Sequence, residues 1–315
     1  LAMLSPWAGA AWGTIVFVLF LGELSGFPLM SRFLPQYETQ NVVARFLCPS
    51  PKRLLIVTAN YDTPRATALT RPERAAWIRP AIVLSTVCMV LVIVTCFADA
   101  LNVGGGAELP VTQWLRWFGA LFLAGMALLI YLAQNGAEDT RGANNNASGV
   151  ATLFSLAQSL SETPLRHTDV WLVATGAKEN WMAGMQHLVR EAELDAQQTY
   201  FLNIGPVGGG QLHYTKGEGL LAVFRSGKTL VRTAEKLATR HNAGPVIYRG
   251  LPTDAVIPKI YGYQAMSVIA LEENGLPAQW NWTSDAATNI DVALLSRAAE
   301  FVEALVRDFD TQETK

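Results

Sequence analysis

The chain has 315 residues, enough for one sizeable α/β domain plus further elements, and its net charge of −2 excludes nucleic acid as a general partner. Half of the residues are hydrophobic and only 16% are charged, against about 25% in an ordinary soluble domain, so the apolar excess has to be concentrated somewhere. The three cysteines, Cys48, Cys88 and Cys96, form neither a disulfide framework nor a Cys-x-x-Cys pair, which argues against zinc held by sulfur.

In chain order, residues 1–22 carry no charge before Glu23. Residues 80–98 run uncharged as PAIVLSTVCMVLVIVTCFA between Arg79 and Asp99, and residues 117–137 do so between Arg116 and Glu138. Each suffices to cross a hydrocarbon core, which takes about 20 helical residues. A signal peptide is the competing reading of the first stretch, although no basic region opens it. Leu1 stands where Met is expected, so the true start is expected upstream.

The expected organisation is a first span within residues 1–30, a first polar piece over 31–79, an inserted transmembrane hairpin over 80–137 and the main polar piece over 138–315. Two spans separate the polar pieces, so both lie on one side of the bilayer. The loop 99–113 has no Lys or Arg, whereas the 31–79 piece has Arg32, Arg45, Lys52, Arg53, Arg65, Arg71, Arg74 and Arg79. The positive-inside rule then predicts an integral membrane protein whose folded domain faces the cytoplasm.

Within the polar pieces, Arg53–Ala59, Asp169–Thr175, Tyr200–Ile204 and Ser267–Leu271 read as buried strands. Helical patterns cover Gly149–Leu160, Met182–Glu191 and Gly227–His241, and a last helix starts at Asp291 as N-cap with Val292, Leu295, Ala299, Val302 and Val306 on one face. The alternation predicts an α/β fold, a mostly parallel sheet flanked by helices, with ligands beyond the carboxyl ends of its strands.

The loops at those ends are polar and glycine-rich: Ala59-Asn60-Tyr61-Asp62, Arg141-Gly142-Ala143-Asn144-Asn145-Asn146-Ala147-Ser148-Gly149, Thr175-Gly176-Ala177-Lys178-Glu179, Leu202-Asn203-Ile204-Gly205 and Trp280-Asn281-Trp282-Thr283-Ser284-Asp285. Singly they are ordinary turn chemistry. In order and number they resemble the dizinc aminopeptidases, metallopeptidase family twenty-eight, over residues 40–310. That family includes leucine aminopeptidases, glutamate carboxypeptidase and glutaminyl cyclases. Its loops read roughly A-H-Y-D, G-A-N-D-N-A-S-G, G-A-E-E-x-G, N-x-D-x-x-G and H-T-x-x-D.

The resemblance implies an aminopeptidase-like fold, and the departures from it bear on function. Asn60 stands where the family has its first zinc-binding His, Asn145 where it has the metal-bridging Asp, and Lys178 where it has the general base Glu. Gly205 replaces the second Asp ligand and Asn281 the last His. Only Glu179 keeps a ligand side chain, and Asp62, which in the family lies behind the metals, also remains. Zinc takes imidazole, thiolate or carboxylate, three or four per ion. A lysine there adds a repulsion of several kcal/mol at an effective dielectric of about 20. The chain is therefore expected to have no metal, no cofactor and no peptidase chemistry, with Lys178 paired to Glu179 or Asp62.

Zinc-free members of the family, such as the transferrin receptor ectodomain and nicastrin, work through protein contacts. The leading expectation is accordingly a catalytically inactive scaffold or accessory subunit of a membrane complex, with the lipid bilayer and other membrane-protein subunits as partners. Asp62, Trp181, Trp280 and Trp282 are candidate pocket residues for a second reading, a cleft that binds a small polar ligand or peptide without cleaving it. A residual metallo-aminopeptidase with a rebuilt site is the third.

Overall fold

The computed structural model describes residues 5–25, 27, 29–30, 33, 38–103 and 110–312. The start of the expected first span, much of residues 31–37 and residues 104–109 of the loop 99–113 lie outside them. In chain order the elements are α1 (Pro6–Leu24), β1 (Val42–Phe46), β2 (Arg53–Asn60), β3 (Arg65–Ala66), α2 (Pro72–Ala75), α3 (Ile78–Ala100), α4 (Pro110–Asn135) and β4 (Glu138–Asp139). There follow α5 (Gly149–Glu162), β5 (Thr168–Thr175), α6 (Ala183–Glu191), β6 (Thr199–Ile204), β7 (Gln211–Glu218), β8 (Phe224–Arg225) and α7 (Lys228–Ala238). The chain ends with β9 (Gly244–Tyr248), α8 (Val256–Ile260), β10 (Gln264–Leu271) and α9 (Val292–Thr311).

The chain divides into two compact units: residues 1–36, 67–69 and 77–137, and residues 37–66, 70–76 and 138–315. The first holds α1, α3 and α4, of 19, 23 and 26 residues. All three are long and apolar enough to cross a membrane. Helix α3 packs against both α1 and α4. Gly119 of α4 permits a close crossing, since a Cβ there would lie 2.8 Å from Val92 Cγ2. Trp114, Leu121 and Tyr131 of α4 are exposed, as a lipid-facing surface requires.

One boundary differs from the sequence reading. Asp99 and Arg116 had marked the ends of two spans, but both lie inside helices, with only 2% of either side chain exposed. They bond each other, and Thr112 Oγ1 donates to both Asp99 oxygens at 3.0 and 3.1 Å. Mutual neutralisation lets the helices continue past them, because each charge is satisfied within the hairpin.

The second unit is built on an eight-stranded sheet of order β1-β5-β2-β6-β10-β7-β8, with β9 paired to β7. Strands β5, β2, β6 and β10 are mutually parallel; β1 and β7 run antiparallel to them, and β8, antiparallel to β7, runs in their direction at the edge. Both faces of the parallel core are covered, which explains the unbroken apolar runs in sequence. Leu55, Val57, Leu202 and Val268 pack under α5, α7 and α9, while Ile56, Val173, Phe201 and Ala265 pack against α6 and α8. The last helix is capped as expected, Asp291 accepting from the Leu294 N–H at 2.9 Å. Because β2, β5, β6 and β10 run parallel, their carboxyl ends and the loops after them share one edge of the sheet.

Candidate functional site

Asn60 is the last residue of β2 and is buried. Its Nδ2 donates to the Asp62 carbonyl at 2.9 Å, and Tyr61 N–H bonds the Thr175 carbonyl of neighbouring β5 at 3.0 Å. Asp62 Oδ2 then accepts from the Glu179 N–H at 2.8 Å. The loop after β5 is thus fastened to the loop after β2 by backbone groups. Within it, Lys178 Nζ lies 2.6 Å from Glu179 Oε1, with 15% and 20% of the two side chains exposed. The Glu179 carboxylate is therefore already bonded to a cation.

On the other side, Gly142 opens the asparagine loop at φ 63°, where a Cβ would meet Thr63 Cγ2 at 1.9 Å, so only glycine fits. Asn144, Asn145 and Asn146 are all buried. Asp285 accepts from the Asn144 and Asn145 N–H groups at 2.6 and 2.9 Å. Burial pushes its carboxyl pKa up, and these two amides pull it back. Asn144 donates to the Ala278 carbonyl (2.9 Å) and accepts from the Gly208 N–H (2.7 Å); Asn146 donates to the Ile204 carbonyl at 3.0 Å. Asn145 Nδ2 donates to Asn281 Oδ1 at 2.7 Å.

The structure thus brings together Asn145 with Asn281, Lys178 with Glu179, and Asn60 with Asp62. Gly205 continues β6, its N–H bonded to the Val268 carbonyl at 2.9 Å, and a side chain there would press on Ile269 at 3.3 Å. Trp280 is buried, and Trp282 lies under the Arg71 guanidinium at 5.9 Å. Trp181 packs with Met182 and Met185 in the core on the α6 side. His213 sits on β7, its Nδ1 2.7 Å from the Gln211 carbonyl, and is not part of this constellation.

Sequence reasoning passed over Asp254, which lies in the turn before α8 beneath the same edge. It is 2% exposed, its Oδ2 accepts from Thr175 Oγ1 at 2.5 Å, and its Oδ1 has no partner. Burial raises its pKa to about 6; the Thr175 bond and Lys178 oppose that rise, while Asp62 and Glu179 add to it. Nothing in the local sequence Pro252-Thr253-Asp254 signals a site. Asp285, used in the sequence only to fix the register of its loop, is the residue that ties the asparagine loop down.

A dizinc centre needs about six to eight donors of imidazole, thiolate or carboxylate type. The positions that would hold it present three carboxamides, a glycine and one carboxylate bonded to Lys178. Among the described residues no three His, Cys, Asp or Glu side chains are placed to hold a metal ion. The side chains present do not fit two zinc ions.

The fold is similar to that of several bacterial enzymes. A zinc aminopeptidase from Bacillus subtilis aligns over 87% of this chain and 51% of its own, with a TM-score of 0.52 and 15% identity. A leucine aminopeptidase precursor from Bacteroides thetaiotaomicron aligns over 87% and 77% (TM-score 0.51, 15% identity). LapB from Legionella pneumophila aligns over 97% and 66% (TM-score 0.54, 11% identity). The chain spans about half the length of the Bacillus and Aneurinibacillus aminopeptidases it matches. No curated protein matches the sequence. The sequence profile of Peptidase family M28 matches residues 122–306, more than half of the chain. With the asparagine loop and the parallel strands β5, β6 and β10 in the positions that profile covers, the chain belongs to Peptidase family M28.

Proposed function

We propose that this chain is a catalytically inactive, peptidase-like membrane protein that serves as a scaffold or accessory subunit of a membrane protein complex. The observation that supports it most is the Asn145–Asn281 bond of 2.7 Å. Two positions that bind metal in the family's pattern carry neutral amides that satisfy each other, so neither supplies the charge that a dication needs. Lys178 supports the same reading: bonded to Glu179, it offers no carboxylate to take a proton from water at the general base position. Three helices able to cross a membrane give such a subunit an anchor, and the arginines flanking the spans favour a cytoplasmic domain.

Metal analysis and an aminopeptidase assay test this reading on the full chain purified in mild detergent, with and without added zinc. The expected result is zinc well below one equivalent and no hydrolysis above the buffer rate. Stoichiometric zinc whose removal abolishes a peptidase activity refutes it. The subunit role is tested by isolating the chain from its native membrane and identifying proteins that remain bound at stoichiometric ratio; a chain that elutes alone contradicts that role.

A further inference from the structure

Away from the former metal loops, the C-terminal end of α7 and the outer side of α9 frame a cleft of about 530 Å³. Volumes of roughly 300–1,000 Å³ are usual for small-molecule sites. Arg240 and His241 form one wall, and Ser296, Arg297, Glu300 and Arg307 the other. Arg307 is committed: its Nε bonds Glu303 at 2.7 Å and its Nη2 bonds Ser159 Oγ at 2.5 Å. Arg240 and Arg297 have no ion-pair partner among the described residues, and Glu300 is the one carboxylate of the cleft not paired to an arginine. Two guanidinium groups against one free carboxylate leave the cleft with an excess positive charge, in a chain whose net charge is −2.

Solvated arginines on a helix surface would account for the charge alone. His241 is a second, independent observation. It is 7% exposed, its ring lies 5.5 Å from Phe301, and its Nε2 is buried without a hydrogen-bond partner. Burial lowers its pKa first and Arg240 lowers it further, with Glu300 opposing. The wall therefore holds a buried imidazole beside Arg240, and an anion between Arg240 and Arg297 would offset the cationic share of that shift.

We propose that this cleft binds a phosphate group, held by the forked donors of Arg240 and Arg297 with the Ser296 hydroxyl beside them. Guanidinium forks match tetrahedral oxyanions by two parallel hydrogen bonds each, and a phosphomonoester dianion neutralises two of them. The group can come from a soluble phosphomonoester or from the headgroup of phosphatidic acid; the chemistry of recognition is shared.

The test uses the full chain, labelled with ¹⁵N-histidine, in mild detergent at constant ionic strength. There are four histidines, and His241→Gln identifies the resonance of interest. One arm titrates inorganic phosphate against chloride; the other adds phosphatidic acid to the micelles against phosphatidylcholine. Binding is expected to raise the apparent pKa of His241 saturably, by roughly half to one unit. The Arg240→Gln/Arg297→Gln variant, whose fold is checked by unchanged His167, His187 and His213 signals, is expected to lose the response. A response to inorganic phosphate supports the proposal with a soluble source, and a response to phosphatidic acid alone supports it with a lipid source. No response in either arm, or a response that persists in the double variant, overturns it.

Discussion

Replacing Asp254 by Asn is expected to change how stability responds to pH. Its carboxyl is buried, and burial is the largest cause of a pKa raised from 3.8 to about 6. Between those values the folded chain holds a proton that the unfolded chain has released, so stability falls as pH rises through this window. A gap of about two pH units corresponds to about 3 kcal/mol. An amide at this position can still accept from Thr175 Oγ1 but does not ionise. Whatever constant difference the new amide brings, the comparison should move by that amount in favour of Asp254→Asn between pH 4 and pH 7. For a domain of this size the move is about 6–12 °C in Tm. Thermal unfolding of both proteins in the same detergent, followed by circular dichroism at half-unit pH steps, measures it. Taking the difference removes the opposite trends of Asp310, where burial is the largest single influence but the amide bonds from Arg166 and His167 with the neighbouring Thr168 and His167 side chains together outweigh it, and of Glu303, held down by Ser159 and Arg307. Those two groups lose stabilisation as pH falls, in either protein. A Tm difference that stays flat within about 2 °C from pH 4 to pH 7 refutes a buried, proton-holding Asp254.

Glu218 is fully buried, 2.5 Å from Lys259 Nζ, and also accepts from Thr215, Thr253 and Ser267. Glu218→Leu or Lys259→Met strands a buried partner and should cost about 3–5 kcal/mol, read as a loss of denaturation midpoint. In the long apolar helices, Asp99→Leu or Arg116→Leu alone should lower the unfolding temperature in detergent markedly. The Asp99→Leu/Arg116→Leu double variant should recover much of that loss, since an apolar pair replaces an ion pair at little net cost.

Those helices also show what sequence could and could not give. Uncharged runs announced all three long apolar helices, but Arg116 was read as a span end since a lone charge normally is one. Its partner Asp99 is on the preceding helix, and only tertiary structure reveals such a pair. In the sheet, β2, β5, β6 and β10 were legible because burial on both faces leaves them nearly without polar residues. Strand β1 was not: its residues 42–45 are exposed, with Arg45 stacked 4.2 Å over Trp171. Nor was β7, whose sequence QLHYTKGE mixes polar groups that bond within the sheet. The former metal loops stood out through glycine and asparagine at fixed turn positions. Asp254 did not, because its burial is produced by elements far from it in sequence.

The same distinction applies to the loops at the carboxyl edge of the sheet. The loops are fastened by groups that a dizinc site would leave free: Asp285 to two backbone amides, Asn144 to Ala278 and Gly208, Asn146 to Ile204, and Asp62 to the Glu179 amide. The inserted membrane segment is accommodated in the same way. The two-residue ladder of β3 with β4, the Arg65–Asp139 pair at 3.2 Å and the Thr140 bond to the Pro64 carbonyl at 2.7 Å bring the ends of the insertion together. Closing a long loop costs little more than closing a short one, since the entropy grows only logarithmically with length. Residues 67–137 thus begin and end at this one ladder.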